Sequence, residues 1–157
     1  LDKLGVHESE AEIEVLEHYV DIQQERFQGR LVVRLDVAPD VREALVPNLI
    51  LQPLVENAIK HGIGPRAAGG TVEVAARRSN DALLLVVRDD GVGEPVPQLR
   101  REGVGLANSR ARLTSLYGEG HRLTAGAGAT GGFEVSIVIP FHTEPAARLV
   151  AAGIDPD

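Results

Sequence analysis

The chain has 157 residues, 43% of them hydrophobic, with three phenylalanines, two tyrosines and no tryptophan, methionine or cysteine. Such a length suits one compact domain whose core is built from aliphatic side chains, and the lack of cysteine excludes disulfides and thiolate chemistry. The formal net charge of −7 opposes non-specific binding to nucleic acid. No apolar run approaches the roughly 20 residues of a membrane-spanning helix, and no signal peptide opens the chain. We therefore expect a cytoplasmic segment without membrane contact, whether or not its parent protein is membrane-anchored.

The first predicted element is an amphipathic helix over residues 9–27, with apolar side chains near one face. Ser9 stands three residues before Glu12, which is the pattern of a capping box at a helix start. Gly29 ends the helix, and the β-branched stretch 31–37 predicts a strand.

A second helix is predicted from Pro47 to about His61, because proline is tolerated in a first helical turn and Gly62 provides a stop. Pro53 lies inside this span, where it would remove one backbone hydrogen bond and kink the helix.

The remaining pattern predicts a hairpin, a third helix capped by Gly118 and two closing strands. Their bounds are 71–78 and 82–89 for the hairpin, Leu106 to Tyr117 for the helix, and 121–125 and 133–140 for the strands. The predicted fold class is α+β: a two-layer sandwich of a mixed, mostly antiparallel sheet with helices on one face.

Asp89 closes a predicted strand and is followed by Gly91 and Gly93. A carboxylate there accepts a hydrogen bond from the exocyclic amine of adenine, and the glycines allow the base to approach the backbone closely. A tight Asp-Gly turn has the same pattern without any ligand, so this segment alone leaves both interpretations open.

Asn57, Lys60 and His61 lie on the last turns of the second predicted helix, near one face. Mg²⁺ prefers oxygen ligands, so an Asn57 carbonyl oxygen together with phosphate oxygens would form a site, with Lys60 at phosphate and His61 at ribose. A solvated polar stripe is the alternative.

Gly103 and Gly105 open the third predicted helix at Leu106, where free backbone amides and the helix dipole favour phosphate. The pair lacks the preceding strand of a dinucleotide-binding turn, so we do not predict a Rossmann fold.

Together and in this order, three segments resemble the GHKL superfamily of Bergerat-fold nucleotide-binding domains. They are PLVENAIKHGI at 53–63, DDGVG at 89–93 and GVGLAN at 103–108. Over roughly 10 to 142 the chain is similar to the LytS/YehU-type sensor histidine kinases. The residues behind this closer match are YVDIQQERF at 19–27, VPNLILQPLVENAIKHGI at 46–63, VRDDGVG at 87–93, GVGLANSRARLTSLYG at 103–118 and VSIVIP at 135–140.

The resemblance implies roles for individual residues. Asn57 would bind Mg²⁺ and, with Lys60 at the phosphates, carry the catalytic chemistry, while Asp89 pairs with adenine. Residues 94–102 would form a short ATP lid. The other implied nucleotide contacts are His61, Gly91, Gly93, Gly103, Val104, Gly105, Leu106 and Asn108.

The implied function is the ATP-binding catalytic domain of a two-component histidine kinase, with ATP and Mg²⁺ as cofactors. The implied partners are its own dimerisation and phosphoacceptor domain, which would make the full-length protein a dimer, and a response regulator. The Pro-His-Phe-Leu-Phe-like acceptor motif of this group is absent, so we expect a catalytic fragment that is inactive alone. The expected layout is a linker helix over 1–28, the catalytic domain over 29–142 and a tail over 143–157.

Two departures from the family pattern keep alternatives open. Pro53 stands four residues before Asn57, where hydrolytic members have a Glu, and Glu56 lies about 100° away around the helix. Phe133 follows Gly131-Gly132 where a Thr is usual. The alternatives are a nucleotide-binding or interaction module without kinase activity, and a GHKL ATPase or anti-sigma-type serine kinase.

Overall fold

The computed structural model describes residues 5–63, 69–91, 104–128 and 131–143. Within these ranges the chain forms a mixed sheet, a small two-stranded ribbon and three α-helices. The strands are β1 (Val6–Glu8), β2 (Leu31–Val37), β3 (Leu45–Pro47), β4 (Gly70–Ser79), β5 (Ala82–Asp89), β6 (Arg122–Ala127) and β7 (Phe133–Pro140). The helices are α1 (Ser9–Arg26), α2 (Gln52–Asn57) and α3 (Val104–Tyr117).

The five-stranded sheet has the order β2-β4-β5-β7-β6, and only β2 runs parallel to its neighbour. Along β5 the residues Leu83, Leu85 and Val87 are buried while the residues between them are more exposed. This period of two places one sheet face against the helices, and the predicted α+β fold with a mostly antiparallel mixed sheet is confirmed.

The core is aliphatic, as the composition predicts, and takes side chains from the sheet and from all three helices. Leu16 and Val20 of α1 pack into the same cluster as Leu54 of α2 and Leu113 of α3. Tyr117 is a buried aromatic at the end of α3, and its hydroxyl lies 3.4 Å from Nε2 of His142.

Helix α1 is confirmed, but the predicted capping box is wrong. The residue before the helix is Glu8, and no side chain caps the first turn. The Ser9 hydroxyl instead donates to the carbonyls of Val41 and Arg42, and the buried Glu12 carboxylate accepts hydrogen bonds from later segments of the chain. Ser9 and Glu12 thus bond to backbone groups that are distant in sequence, and not to each other's backbone amides as a capping box would require.

The predicted bounds of the second helix are also wrong. Pro47 ends β3, where it pairs with Val6, and the helix begins five residues later at Gln52. Pro53 therefore occupies the first turn, where its missing amide costs no hydrogen bond. The helical path continues past Gly62 as a π-helical segment, Ala58–Ile63.

The other predicted elements agree with the structure within a few residues. The hairpin of β4 and β5 turns at Asn80 and Asp81, with Asn80 at φ 55°. Helix α3 starts two residues before Leu106 and ends where Gly118 adopts φ 55°. The short strands β1 and β3 were not predicted, because three-residue strands carry no readable periodicity. Among the described helices, none is long and apolar enough to cross a membrane.

Candidate functional site

Asp89 is the last residue of β5, and its side chain is buried. One carboxylate oxygen, Oδ1, accepts a hydrogen bond of 2.9 Å from the Gly91 amide, which orients the carboxylate. The next residue, Asp90, bonds through Oδ1 and its own amide to the backbone of Thr71. The end of β5 is therefore fixed to the start of β4.

The backbone of Gly132 lies close to the end of β5. A Cβ placed on Gly132 would lie 1.9 Å from the carbonyl oxygen of Asp89, and its φ is +72°. Only glycine fits such a close approach at this φ without displacing the backbone. Phe133, the next residue, pairs with Asp89 across the strands and is buried in the core.

Helix α2 and the π-helical segment bring the second set of predicted residues to the sheet. Asn57 is half-buried at the junction of the two helical forms, and Lys60 is exposed one turn later. Between them Ala58 and Ile59 are buried, and the π-helical segment packs against β4 and β5. The segment that carries Asn57 and Lys60 thus lies against the strand that ends at Asp89.

The π-helical geometry is a feature that sequence reasoning missed. Single π-turns within α-helices are frequent at functional sites, since they change the direction of the side chains that follow. No residue pattern indicated it here, because the hydrogen bonds of α- and π-turns differ in span by only one residue.

Helix α3 contributes the third predicted segment. It contacts α2, and Leu106 is buried in the core while Asn108 is exposed. The backbones of Val104, Gly105 and His61 are helical. Gly93, Gly103 and the predicted lid over 94–102 lie outside the described residues.

A groove of about 570 Å³ separates α1 from the helix that carries Asn57. It is lined by Tyr19, Gln23, Arg26, Phe27, Glu56, Ile59 and Lys60. Burial is the main cause that raises the pKa of Tyr19, the Glu56 carboxylate raises it further, and Arg26 lowers it.

The described residues fit an adenine nucleotide with Mg²⁺. A buried, oriented carboxylate at Asp89 suits an amine donor, and the amide oxygen of the half-buried Asn57 suits Mg²⁺. The exposed ammonium group of Lys60 suits phosphate. Within the described ranges, no three His, Asp or Glu side chains cluster as a metal site of their own.

Residues 43–143 match the family model of histidine kinase-, DNA gyrase B- and HSP90-like ATPases. The chain belongs to this family. The three segments that carry the resemblance to the GHKL superfamily all fall within the matched region, so that resemblance is confirmed.

Curated relatives show which group within this family the chain is similar to. The chain is 32% identical over 136 residues to sensor histidine kinase YesM of Bacillus subtilis, covering 85% of this chain and 24% of that protein. It is 33% identical over 144 residues to sensor histidine kinase YpdA of Escherichia coli, covering 87% and 25%. Sensor protein LytS of Enterococcus faecalis is 34% identical over 147 residues, covering 85% and 24%. The chain therefore spans about a quarter of the length of these sensor kinases, and the LytS/YehU-type resemblance is confirmed.

Solved structures support the same fold. Histidine kinase AdeS of Acinetobacter baumannii superposes with a TM-score of 0.66 at 17% identity, covering 87% of this chain and 66% of that chain. The catalytic domain of histidine kinase ThkA gives a TM-score of 0.66 at 14% identity, covering 86% and 93%. At these identities the likeness concerns the Bergerat fold alone.

Proposed function

We propose that this chain is the ATP-binding catalytic domain of a two-component sensor histidine kinase. The observation that carries the proposal is the buried, oriented Asp89 carboxylate, against whose strand the helix with Asn57 and Lys60 packs. In this proposal the domain holds ATP with Mg²⁺ so that the γ-phosphate reaches a histidine on a separate dimerisation domain.

Positioning and charge neutralisation account for the activity of such a domain. Asp89 accepts the hydrogen bond of the adenine amine, and Asn57 offers its carbonyl oxygen to Mg²⁺. Lys60 places a positive charge beside the phosphates. Bound ATP with Mg²⁺ supplies the phosphoryl group and the charge that stabilises its transfer.

Pro53 supports a kinase domain that does not hydrolyse ATP alone. It stands where hydrolytic relatives carry an acid and has no proton-accepting group. Glu56 is exposed and accepts a hydrogen bond from Gln52 at 3.3 Å, on the side of the α1 groove. Steady phosphate release by the isolated domain that is lost in Glu56→Gln would contradict this assignment.

The proposed partners are the dimerisation and phosphoacceptor domain of the same protein and a response regulator. Support comes from the sensor kinases that the chain matches over about a quarter of their length. We also propose a dimeric full-length protein whose catalytic domain lies in the cytoplasm, and the layout of linker helix, catalytic domain and tail given above.

The adenine role of Asp89 predicts that Asp89→Asn weakens binding of a non-hydrolysable ATP analogue with Mg²⁺ at least about tenfold, or about 1.4 kcal/mol. The physical reason is that the asparagine amide has a single accepting oxygen, and its NH2 group is a donor that cannot bond to the adenine amine. Isothermal titration calorimetry measures the difference.

Asp90→Asn is the matched control, because Asp90 is the adjacent carboxylate but is exposed and bonded to the Thr71 amide. We expect the nucleotide affinity of Asp90→Asn to stay within about twofold of the wild-type affinity, well short of the tenfold loss expected for Asp89→Asn. Equal binding by wild type and Asp89→Asn would refute the adenine assignment.

A module that binds nucleotide without transferring phosphate is the second candidate. Phe133 favours it, because the position offers a buried ring where the family usually supplies a hydroxyl. Autophosphorylation of a longer protein that includes the dimerisation helices distinguishes a kinase domain from a binding module. Phosphohistidine that forms with wild type and not with Asn57→Ala would exclude the module.

A further inference from the structure

The turn at residues 48–51 leads directly into helix α2. Two charged side chains from the other helices hold it: Glu12 of α1 on its amide groups and Arg112 of α3 on its carbonyl groups. The resemblance assigns a nucleotide contact to neither residue, although Arg112 lies in the segment 103–118 that carries the kinase resemblance.

Glu12 is 1% exposed, and the structure pairs both of its carboxylate oxygens. Oε1 accepts the Leu49 amide at 2.8 Å and lies 2.7 Å from Nε2 of His7, and Oε2 accepts the Leu51 amide at 2.9 Å. A carboxylate this deeply buried is tolerated only when such bonds replace its hydration, and bonds to a charged acceptor are stronger than neutral ones. Glu12 therefore fixes two backbone amides of the turn.

Arg112 holds the carbonyl groups of the same turn. Its guanidinium donates to the carbonyl of Asn48 and, at 3.5 Å, to that of Leu49. The planar fork of arginine suits two neighbouring acceptors. The peptide groups of the turn are thus held between an anion and a cation that come from different helices.

The backbone of the turn needs this support. Leu49 has φ +55°, the left-handed region that a branched, non-glycine residue rarely adopts. Its side chain is 46% exposed, whereas the next two, Ile50 and Leu51, are buried. Packing of the following residues and the bonds from Glu12 and Arg112 together over-determine this conformation.

The position of helix α2 depends on the turn at residues 48–51. The Leu51 carbonyl accepts the amide of Val55 at 3.0 Å, so the turn held by Glu12 is continuous with the helix start. We propose that Glu12 and Arg112 are positioning residues, which set the placement of Asn57 and Lys60 relative to Asp89 and so link the position of α1 to nucleotide affinity. The link to affinity rests on the proposed function, whereas the placement of α2 does not.

Two matched controls lie on the same helices. Ser9 of α1 is equally buried, but its hydroxyl donates to Val41 and Arg42 at 2.5 and 3.0 Å, away from the turn. Arg110 of α3 donates to the Leu123 carbonyl at 3.1 Å, at the far strand β6. Ser9→Ala and Arg110→Ala thus remove side-chain hydrogen bonds of the same two helices without touching residues 48–51.

The test compares Glu12→Gln with Ser9→Ala, and Arg112→Ala with Arg110→Ala, at a temperature where all four are folded by circular dichroism. The first readout is amide hydrogen exchange over residues 54–63 without nucleotide. We expect exchange there to rise at least about tenfold in Glu12→Gln and Arg112→Ala relative to their controls.

The second readout is the dissociation constant for a non-hydrolysable ATP analogue with Mg²⁺, which we expect to rise about fivefold or more in the same two variants. Exchange equal to that of the controls would overturn the positioning role. Faster exchange in a protein whose wild type binds no nucleotide would support the placement of α2 and refute the proposed function. If Glu12→Gln does not fold, the Arg112→Ala pair decides.

Discussion

At the scale of single residues, Gly132 is the position beside the proposed adenine site that tolerates least change. Its missing Cβ leaves room for the Asp89 carbonyl, and its φ is +72°. We predict that Gly132→Ala lowers the free energy of unfolding by at least about 2 kcal/mol, through backbone strain and a clash at Asp89. Urea unfolding followed by circular dichroism measures the loss.

Gly131 is the neighbouring control. Its φ is +99°, but an added Cβ would meet nothing within 4 Å. Gly131→Ala should therefore lower the free energy of unfolding only by the cost of placing alanine in a left-handed backbone conformation, roughly 1 kcal/mol. If the two variants lose the same stability, the close approach at Asp89 is not what fixes glycine at position 132.

At the scale of elements, α1 is part of the core although it precedes the region that matches the family model. Leu16 is fully buried among residues of the sheet and α2, whereas Ile22 on the same helix is 60% exposed. We predict that Leu16→Ala costs about 2–5 kcal/mol of stability, because it leaves a cavity.

Ile22→Ala should change stability by no more than about 0.5 kcal/mol, since the side chain is largely hydrated in the folded state. Chemical denaturation of both variants gives the comparison. A Leu16→Ala loss as small as that of Ile22→Ala would mean that α1 docks weakly on the domain.

Helices α1 and α3 both hold the turn that precedes α2. Residues 48–51 lie between β3 and α2 in sequence, yet α1 and α3 supply the charged groups that hold them. The start of α2 is therefore bonded directly to α1 and to α3.

At the scale of the whole molecule, the two tyrosines of the chain make the fold sensitive to alkaline pH. Burial raises the pKa of Tyr117, with Arg112 opposing it, and burial together with Glu56 raises the pKa of Tyr19. Above about pH 10, the ordinary tyrosine pKa, the unfolded chain loses these protons while the folded chain keeps them. The free energy of unfolding should therefore fall as pH rises above about 10 and show no tyrosine contribution below it.

Tyr117→Phe checks this assignment, because it removes the more deeply buried phenol and only a weak contact with His142. We predict a small loss at neutral pH, about 1 kcal/mol or less, and a flatter decline from about pH 10 to about pH 11. Urea unfolding at these pH values measures both. An unchanged slope in Tyr117→Phe would assign the alkaline loss to other groups.

The sequence by itself determined the elements with strong local signals. Stretches rich in β-branched and aliphatic residues, bounded by turn residues, predicted β2, β4, β5 and β7, and the apolar spacing with Gly118 predicted α3. The order of three short segments predicted the family, which the comparisons confirm, and named Asn57, Lys60 and Asp89 as site residues. Their roles stay a prediction, and Gly93 and Gly103 lie outside the described residues.

Only the tertiary structure decided the partners of groups that have several possible ones. Ser9 and Glu12 fit a capping box in sequence, but backbone groups 32 to 39 residues away bind them instead. Pro47 is an acceptable first-turn residue, yet pairing with β1 makes it part of a strand. Hydrogen-bond donors and acceptors are satisfied by whichever groups the packed fold brings near, and local sequence does not contain that information.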